Sequence, residues 1–558
     1  MTTDAPAAGT TVVPTEPPRS DWTLPELLRR RADELGDAEF VSAEGESISF
    51  RGLDEASDRV ATALGRLGVQ PGDRVLALAL NSVAFLVAML ATHKRRAIFT
   101  PINTELKGSF LEHQVRNSDP RVVLVDAELL DAFTLVDTNG VGIEHTVIIG
   151  GDGDVPVGSR PAALAATRWH GWDELAATAV DPSALLRAEP SDVCTIMYTS
   201  GTTGPAKGVL LPQAHLVLFA KGAAEATALT PADRYYVCMP FFHANALFMQ
   251  IYACLWAGCA ATVVKRFSVG AWLDDVIDCG ATATNALGVM PEFIYRRPPD
   301  PRDRGGHRLT RIMAVPIGEE WGAPFEERFG VRLVQGFGMT EINMVAYSDP
   351  ADPVIPGCAG RVLEEFFEVI VADPDTDEAL PPDTVGEILV RPRQPFCFNV
   401  GYFKMDDKTV EAWRNLWFHT GDAGRFDAEG RLHFVDRLKD RIRRRGENIS
   451  SYEIEQVLNN HPAVFESAAV GVKVAGAGGE EEIKAVLVAE PGATIDPAEL
   501  IAFCVERMPR FAVPRYVEIV DALDKTPSGK VRKQSLRGDG ITPATWDREA
   551  AGIELRRS

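Results

Sequence analysis

The first two thirds of the chain alternate between short apolar runs and segments whose apolar side chains recur with helical spacing. Residues 73–80, 98–102 and 122–125 are apolar runs of strand length, and residues 83–93 and 109–118 between them have the helical spacing. Strands separated by helices form parallel β-α-β units with both sheet faces covered. The alternation continues to about residue 335, which predicts a large N-terminal body of parallel β-α-β sheets and hence an α/β fold class.

The pattern of apolar, turn-forming and charged residues then changes twice along the chain. After Gly360, apolar runs separated by Gly, Asp and Pro predict a β-rich subdomain with strands at residues 366–371, 386–390 and 431–434. Residues 436–446 are mostly charged, and beyond them two helices and three strands predict a small α+β domain of about a hundred residues. Residues 140–178 are interpreted as an irregular connection, and residues 1–22, which are rich in Ala, Thr and Pro, as a disordered tail.

Composition excludes some classes of function. The 558 residues carry a net charge of −22, which argues against a general nucleic-acid binder but leaves phosphate-bearing small molecules open. The eight cysteines are scattered and form no C-x-x-C pair, so reduced thiols in the cytoplasm are expected rather than a zinc site or a disulfide framework. The sequence has neither a leader pattern nor a sustained apolar span, so no membrane segment is expected.

The sequence Tyr-Thr-Ser-Gly-Thr-Thr-Gly-Pro-Ala-Lys-Gly at residues 198–208 is the first candidate for chemistry. Glycines let backbone N–H groups turn toward a phosphate, hydroxyls add donors, and a lysine adds a mobile positive charge. The candidate phosphate-binding residues are Thr199, Ser200, Gly201, Thr202, Thr203, Gly204 and Lys207. By composition alone a flexible surface hairpin remains an equal alternative.

This loop is not a Walker A loop. That motif needs Lys directly after its second Gly and then Ser or Thr. Here Pro205 and Ala206 stand between Gly204 and Lys207, and Gly208 occupies the position of the magnesium-binding hydroxyl. A P-loop NTPase is therefore excluded.

Further motifs follow the loop in a fixed order. They are PFFH at 240–243, GFGMTE at 336–341, WFHTGD at 417–422, DRLKD at 436–440, RGENI at 445–449 and PSGK at 527–530. Together with the loop, this ordered set closely resembles the adenylate-forming superfamily, which includes acyl-CoA ligases, luciferases and peptide-synthetase adenylation domains. The resemblance covers roughly residues 23–540.

The resemblance implies an ATP and Mg²⁺ site. Thr340 is similar to the donor to the α-phosphate, and Glu341 to the magnesium ligand, a hard oxygen suited to that ion. Asp422 resembles the residue that accepts both ribose hydroxyls, with Arg437 assisting. The remaining nucleotide-site residues that it implies are Gly336, Phe337, Gly338 and Phe434.

The resemblance also implies two half-reactions and a moving lid. Lys530 resembles the lysine that reaches the carboxylate and the α-phosphate during adenylate formation. The hinge is expected at Lys439, and rotation about it would bring the loop at Arg445 and Gly446 into the site for coenzyme A. The implied division is a body at 23–437, a hinge at 438–440, a mobile C-terminal lid at 441–540 and a tail at 541–558.

The acyl pocket is assigned from the same resemblance, with His243 as the gate between the pocket and the thiol tunnel. The expected lining residues are His243, Ala244, Asn245, Leu287, Pro316, Gly318 and Gly338. The surrounding segments are mainly apolar, which favours a hydrophobic carboxylic acid, whether fatty, aryl or polycyclic. Two departures stand out: Pro316 lies where relatives usually have glycine, and residues 94–96 read Lys-Arg-Arg where Lys-Ala-Gly is usual.

The sequence therefore predicts an AMP-forming acyl-CoA ligase that uses ATP, Mg²⁺ and coenzyme A, as a monomer or homodimer. One alternative is the same fold with a changed half-reaction, because proline removes an N–H and fixes φ in the pocket wall at Pro316, which predicts weak adenylation. In that case the thiol acceptor is coenzyme A or a carrier protein. The other alternative is a nucleotide-binding protein without turnover.

Overall fold

The structure is a computed structural model with two compact units. One comprises Met1–Glu368 with Arg391–Leu416, and the other comprises Val369–Val390 with Trp417–Ser558. The structure describes residues 14–150, 155–199, 206–288, 290–437, 442–444, 447–449, 451–473, 481–508, 512–525 and 531–553.

The first unit contains two seven-stranded sheets. Each is parallel except for one antiparallel pair at an edge. One sheet has the spatial order Arg168–Gly171, His145–Ile149, Val122–Asp126, Arg74–Leu78, Ile98–Pro101, Val193–Thr199, Lys207–Pro212. The other has the order Arg332–Val334, Arg311–Val315, Ala283–Leu287, Arg234–Val237, Ala260–Val263, Glu39–Ala43, Glu46–Ser49.

Helices cover these sheets. Val83–Lys94 is buried around its whole circumference, and the Ser82 hydroxyl caps its start by accepting from the Phe85 N–H at 3.1 Å. The α-helices of this unit are Leu24–Leu35, Phe50–Arg66, Val83–Lys94, Gly108–Ser118, Trp172–Ala176, Gln213–Ala226, Ala244–Ala246, Tyr252–Ala257, Trp272–Cys279, Met290–Arg296, Gly322–Phe329 and Asp406–Ala412. A π-helical turn, Leu247–Ile251, joins two of them. The 3₁₀ turns are Arg19–Asp21, Ala127–Leu135, Val157–Ser159 and Pro182–Ala184.

The first unit also holds a short antiparallel sheet of Gly336–Met339, Asn343–Tyr347 and Cys358–Val362, together with the two-residue strand Trp413–Arg414.

The second unit is β-rich and then α+β. Its strands Leu432–Arg437, Trp417–Phe426, Gly386–Pro392 and Phe367–Ala372 are neighbours in that order. Ile442–Arg444 pairs with Glu447–Ile449. A four-stranded sheet of Val464–Lys473, Glu481–Ala489, Tyr516–Ile519 and Trp546–Asp547 carries the helices Ser451–Asn459, Pro497–Arg507 and Lys533–Asp539. The predicted α/β class, with a β-rich part and a small C-terminal α+β part, is confirmed.

Three expectations need correction. Of residues 1–22, expected to be a disordered tail, residues 1–13 lie outside the described residues, whereas Trp22 is buried against Trp256 and Phe366. The expected irregular connection contains the strands His145–Ile149 and Arg168–Gly171. The first is a short apolar run next to glycines, and the second, Arg-Trp-His-Gly, has a single large apolar side chain. In the expected C-terminal tail, Trp546–Asp547 pairs with the strand at Tyr516.

The unusual run Lys94-Arg95-Arg96 is structural. Lys94 is buried, and its ammonium lies 2.6 Å from an Asp54 carboxylate oxygen and 2.5 Å from one of Asp58, both on the neighbouring helix. Arg95 donates to the carbonyls of Val69 and Ala184, and burial lowers the pKa of its guanidinium.

Arg96 completes this run at the surface. Its guanidinium binds both carboxylate oxygens of Asp192 at 2.7 and 2.8 Å. Asp192 directly precedes the strand Val193–Thr199 that leads to the glycine-rich loop. The three cations thus join two helices and the start of that strand.

Replacing Lys94 by methionine is expected to destabilise the protein by roughly 3 kcal/mol, because it leaves two largely buried carboxylates without their cation. Arg96→Met removes a half-exposed pair and is expected to cost about 1 kcal/mol or less. Calorimetric unfolding midpoints of both variants test this difference. Equal shifts for the two variants would contradict the structural role of the buried ammonium.

Candidate active site

The glycine-rich loop joins two antiparallel strands. Val193–Thr199 pairs with Lys207–Pro212, and Thr199 lies opposite Lys207. Gly208 has no room for a side chain, since a Cβ there would lie 2.8 Å from Cγ2 of Ile196. Five of the predicted phosphate-binding residues lie outside the described residues: Ser200, Gly201, Thr202, Thr203 and Gly204. The structure therefore places the two ends of the candidate loop side by side.

Glu341 lies beside those two ends. Its side chain is 4% exposed, and Oε1 accepts from the Tyr402 hydroxyl at 3.1 Å and from the Thr199 hydroxyl at 3.4 Å. The Lys207 ammonium lies 4.2 Å from the centre of the Tyr402 ring, a cation–π contact. Tyr402 therefore touches both the candidate metal ligand and the candidate phosphate lysine.

Tyr402 is held as a hydrogen-bond donor. Burial, with a further contribution from the Glu341 carboxylate, raises the pKa of its phenol well above the usual value, so the hydroxyl keeps its proton. Asn399 binds the main chain of Glu341, with its amide nitrogen donating to the Glu341 carbonyl at 2.8 Å and its backbone N–H at 3.1 Å. Residues 399–402 thereby position both the side chain and the backbone carbonyl of Glu341.

Residues 400–403 are in turn bound to the strand that leaves the glycine-rich loop. Val400 N–H donates to the Leu210 carbonyl at 3.1 Å, and Phe403 N–H donates to the Gly208 carbonyl at 2.8 Å. The same backbone pairing thus fixes Glu341 relative to Lys207.

His215 holds the other side of this turn. Its Nε2 donates to the Thr340 carbonyl at 3.0 Å, and its own carbonyl accepts from the Asn343 amide at 2.8 Å. Burial lowers the pKa of the His215 imidazole to about 4, so at neutral pH the ring is an uncharged donor. Thr340 is therefore oriented by a residue that stays neutral.

The strand Gly336–Met339 brings backbone close to its neighbour. A Cβ at Gly338 would lie 2.4 Å from the Asn343 carbonyl oxygen, so only glycine fits there. Phe337 is buried, whereas Gly336 is half-buried and Gly338 is exposed. This arrangement leaves one flat, accessible strip of main chain beside Thr340, which suits a planar ligand.

The candidate gate follows a turn that Asn81 supports. The Asn81 amide donates to the Met239 carbonyl at 2.9 Å, and its oxygen accepts from the Phe241 N–H at 2.7 Å. His243 is half-buried next to the Phe242 ring, with the two centroids 4.5 Å apart.

The other predicted pocket residues lie in the same unit. Ala244 and Asn245 begin the helix after His243, and both are half-buried. Leu287 ends its strand opposite Val315 in parallel register. Pro316 follows Val315 through a cis peptide bond and is half-buried, and Gly318 is buried.

The second unit carries the predicted ribose residues on adjacent strands. Asp422 lies opposite Arg437, and Gly424 lies opposite Phe434. Asp422 is buried, and its N–H donates to the Thr420 hydroxyl at 3.0 Å. The preceding turn is held by Glu387, which accepts from the Gly421 N–H at 2.9 Å. The strand pairing therefore brings together three residues that are separated by up to fifteen positions.

Four predicted residues lie outside the described ranges: Lys439, Arg445, Gly446 and Lys530. The hinge and the lid motion therefore stay predictions. Lys525 and Val531, on either side of the PSGK motif, form an antiparallel bridge, and the Lys525 ammonium lies 2.5 Å from a Glu466 carboxylate oxygen.

The surroundings of Glu341 fit a magnesium ion. They offer one carboxylate and the hydroxyls of Thr199 and Tyr402, all hard oxygen donors. Among the described residues no three His, Cys, Asp or Glu side chains cluster as a metal site. Mg²⁺ commonly binds one or two protein carboxylates and completes its shell with water and phosphate, so a single carboxylate suffices for it.

Three positioning residues were missed in the sequence: Asn399, Tyr402 and His215. Each lies on a different segment from the residue that it holds, 58 residues away for Asn399, 61 for Tyr402 and 125 for His215. The Asn-Val-Gly-Tyr order at 399–402 was the available signal, but nothing local marks its partner.

Comparison with known proteins agrees with this geometry. Residues 28–398 match the model of the AMP-binding enzyme family, and residues 453–530 match the AMP-binding enzyme C-terminal domain. Crotonobetaine/carnitine–CoA ligase from Salmonella agona (strain SL483) is 30% identical over 503 residues, which cover 89% of this chain and 95% of that protein. The probable CoA ligase CCL9 from Humulus lupulus is 29% identical over 523 residues, which cover 92% and 95%.

Solved structures show the same fold. The ATP-bound crystal structure of MatB from Rhodopseudomonas palustris superposes with a TM-score of 0.79 at 29% identity, covering 92% of this chain and 98% of that one. The chain therefore belongs to the AMP-binding enzyme family within the adenylate-forming superfamily, and it is an enzyme of the AMP-forming acid–thiol ligase class. The similarity supports ATP and coenzyme A as its cosubstrates.

None of the helices in the described part of the chain has the length and apolar character to cross a membrane.

Tyr402→Phe is expected to lower kcat/KM for adenylate formation by roughly 10- to 100-fold, because a hydrogen bond to a charged group contributes about 1.5–3 kcal/mol. The Mg²⁺ concentration for half-maximal rate is expected to rise, since the carboxylate loses a positioning donor. Tyr347→Phe, which removes a similar bond to the exposed Glu225, is the control. Unchanged Mg²⁺ dependence in Tyr402→Phe would rule out the positioning role.

His215 predicts a loss of stability in mild acid. Its pKa is about 4 in the folded chain and 6.5 in the unfolded one, so the unfolded chain binds more protons below pH 6.5. The free energy of unfolding should fall between pH 6.5 and 4, with a His215 contribution of roughly 3 kcal/mol. Part of the slope is expected to remain in any His215 variant, because burial also lowers the pKa of His93 to about 3.

Urea unfolding between pH 7 and 4.5 measures this slope. His215→Gln keeps an amide donor for the Thr340 carbonyl but has no titrating ring, so its slope should be shallower. His113→Gln, at a half-buried histidine of the same unit, controls for replacing imidazole by an amide. A His215→Gln slope as steep as that of the wild type would refute the assignment.

Proposed function

We propose that this protein is an acyl-CoA ligase that activates a mainly hydrophobic carboxylic acid with ATP and transfers the acyl group to coenzyme A. One observation carries the proposal: Tyr402 contacts both Glu341 and Lys207. Asn399 and His215 hold the backbone carbonyls of Glu341 and Thr340. The Thr199 hydroxyl also donates to Glu341. An acidic oxygen ligand and a phosphate lysine are thereby fixed beside one another, as transfer between two anions requires.

The first half-reaction forms an acyl-adenylate. A carboxylate oxygen attacks the α-phosphorus of ATP, and the bond from that phosphorus to pyrophosphate breaks. Residues 199–207 would hold the leaving phosphates, Thr340 would donate to the α-phosphate and Glu341 would bind Mg²⁺, which supplies charge neutralisation when bound. Lys530 would pair with the developing negative charge.

Other predicted residues hold the nucleotide. Asp422 would accept the ribose hydroxyls with help from Arg437, and Phe434 would lie beside them. Gly336, Phe337 and Gly338 would form the wall for adenine and the acyl carbonyl. These roles rest on the motif positions together with the burial of Asp422 and the flat strip at Gly338.

The second half-reaction makes the thioester. The coenzyme A thiolate attacks the acyl carbonyl carbon, and the bond to AMP breaks. His243 would gate the route to the carbonyl, and Arg445 and Gly446 would replace Lys530 after rotation at Lys439. The half-burial of His243 and its position at the start of a helix support this role.

A second candidate keeps the fold but changes the balance of the half-reactions. It rests on Pro316, which has no N–H and lies half-buried directly after the strand Arg311–Val315. A wall without that donor would weaken adenylation relative to thioester formation. Pyrophosphate exchange compared with thioester formation from a supplied acyl-adenylate separates the two candidates.

Incubation with ATP, Mg²⁺, coenzyme A and a panel of fatty and aromatic acids should yield AMP and a CoA thioester, detected by mass spectrometry. Lys530→Ala should lower adenylate formation by about 10²–10³-fold, because it removes a cation from the developing charge. It should retain thioester formation from supplied acyl-adenylate.

Lys525→Ala, five positions earlier and paired with Glu466, is the matched control. It should keep both half-reactions. Formation of neither AMP nor thioester with any acid would overturn the ligase proposal in favour of a nucleotide-binding protein.

A further inference from the structure

The helix that follows the candidate gate carries a cluster of polar side chains. Asn245 Oδ1 accepts from Gln250 Nε2 at 2.7 Å and from Asn285 Nδ2 at 3.0 Å. The Tyr235 hydroxyl donates in turn to Asn285 Oδ1. Gln250, Asn285 and Tyr235 are each at most 1% exposed, whereas Asn245 is half-buried.

A local departure from α-helix makes this cluster possible. Asn245 and Gln250 are five residues apart, which in a regular α-helix puts side chains about 140° apart around the axis. The π-helical turn Leu247–Ile251 hydrogen-bonds at a spacing of five, and the two amides meet on one face. Such turns are frequent at functional sites.

The hydrogen bonds of the cluster fix the orientation of the Asn245 amide. Two amide donors hold the Asn245 oxygen on the buried side, so the Asn245 NH₂ group is turned the other way. That group donates to the Met249 sulfur at 3.3 Å, and a thioether is a weak acceptor. Asn245 is thus a fixed donor with a weak partner, at the half-buried edge of the predicted acyl pocket.

One atom of the cluster lacks a hydrogen-bond partner in the part of the chain that the structure describes. Among the described residues, no group hydrogen-bonds to the buried Oε1 of Gln250. Leaving a buried polar atom unpaired is unfavourable, and each such atom in a native protein needs an explanation, for example a functional role or a bound water. The NH₂ group of the same Gln250 side chain donates to Asn245 and orients it.

We propose that the Asn245 NH₂ group donates a hydrogen bond to an oxygen on the acyl group of the substrate. The acid is then a mainly apolar carboxylic acid with an acceptor oxygen, such as a keto oxygen, along its chain. This inference rests on the proposed ligase function and narrows its substrate class. A site built to hydrogen-bond a substrate group discriminates strongly against the analogue that lacks it, because its own polar group is then left unpaired.

The test compares pairs of straight-chain acids of six to twelve carbons, each with and without a keto oxygen at one position from carbon 3 onward. At the position that matches Asn245, the oxo acid should exceed its plain partner at least 10-fold in kcat/KM for thioester formation. Asn245→Leu and Asn245→Asp should both bring this ratio to within about twofold, because both lack the donor.

Two further variants separate positioning from folding. Gln250→Met should lower the ratio without abolishing it, because the Asn245 amide loses one of its two orienting donors. Gln213→Leu changes another buried amide of this unit, which accepts from the Leu24 N–H, and should keep the wild-type ratio. Thermal unfolding of each variant shows that the chain is folded.

Equal use of oxo and plain acids by the wild-type enzyme, or a preference that survives in Asn245→Leu, would overturn the inference while the ligase function stands. Absence of both acyl-adenylate and thioester with every acid would instead overturn the ligase function, and the inference with it.

Discussion

A buried carboxylate needs hydrogen-bond donors, and this requirement organises the candidate active site. Glu341 is 4% exposed and receives the Tyr402 and Thr199 hydroxyls on its side chain and Asn399 on its carbonyl. These donors come from separate segments of the chain, so the acidic oxygen is positioned only when the segments assemble. The backbone pairing of residues 400–403 with the strand after the glycine-rich loop makes that strand and the carboxylate one unit.

A second backbone pairing fixes the two described ends of the glycine-rich loop. Thr199 and Lys207 lie opposite each other at the base of a hairpin, which brings a hydroxyl and an ammonium to one place. Tyr402 contacts that ammonium through its ring and Glu341 through its hydroxyl. Opposite charges at one site suit a reaction in which magnesium, phosphate and carboxylate must all be held.

The role of a basic residue cannot be deduced from its charge alone, as residues 94–96 show. The sequence alone assigns no role to Lys94, Arg95 and Arg96. In the fold they bind Asp54 and Asp58, two backbone carbonyls and Asp192, and so act as structural cations. Their carboxylate partners lie up to 96 residues away, so local pattern could not reveal the pairs.

Local pattern was enough for most elements and for the motif order. Helical and strand periods depend on neighbours a few positions apart, so the strands Ile98–Pro101 and Val122–Asp126 and the helix Gly108–Ser118 were predicted to within one residue at each end. It was not enough where burial depends on distant packing, as for Trp22 and the strand His145–Ile149. The prediction of a mainly apolar pocket likewise did not include the amide cluster. Tyr235, Asn245 and Asn285 lie on separate elements and meet only in the folded chain.

The sequence by itself determined the α/β class, the order of the motifs and the family, because these depend on residue type and spacing. The tertiary structure decided which side chains hold Glu341 and Thr340, why residues 94–96 are basic, and which way the Asn245 amide points. Those answers depend on hydrogen bonds and ion pairs, most of them between segments tens of residues apart. Only the folded backbone brings such segments within hydrogen-bonding distance.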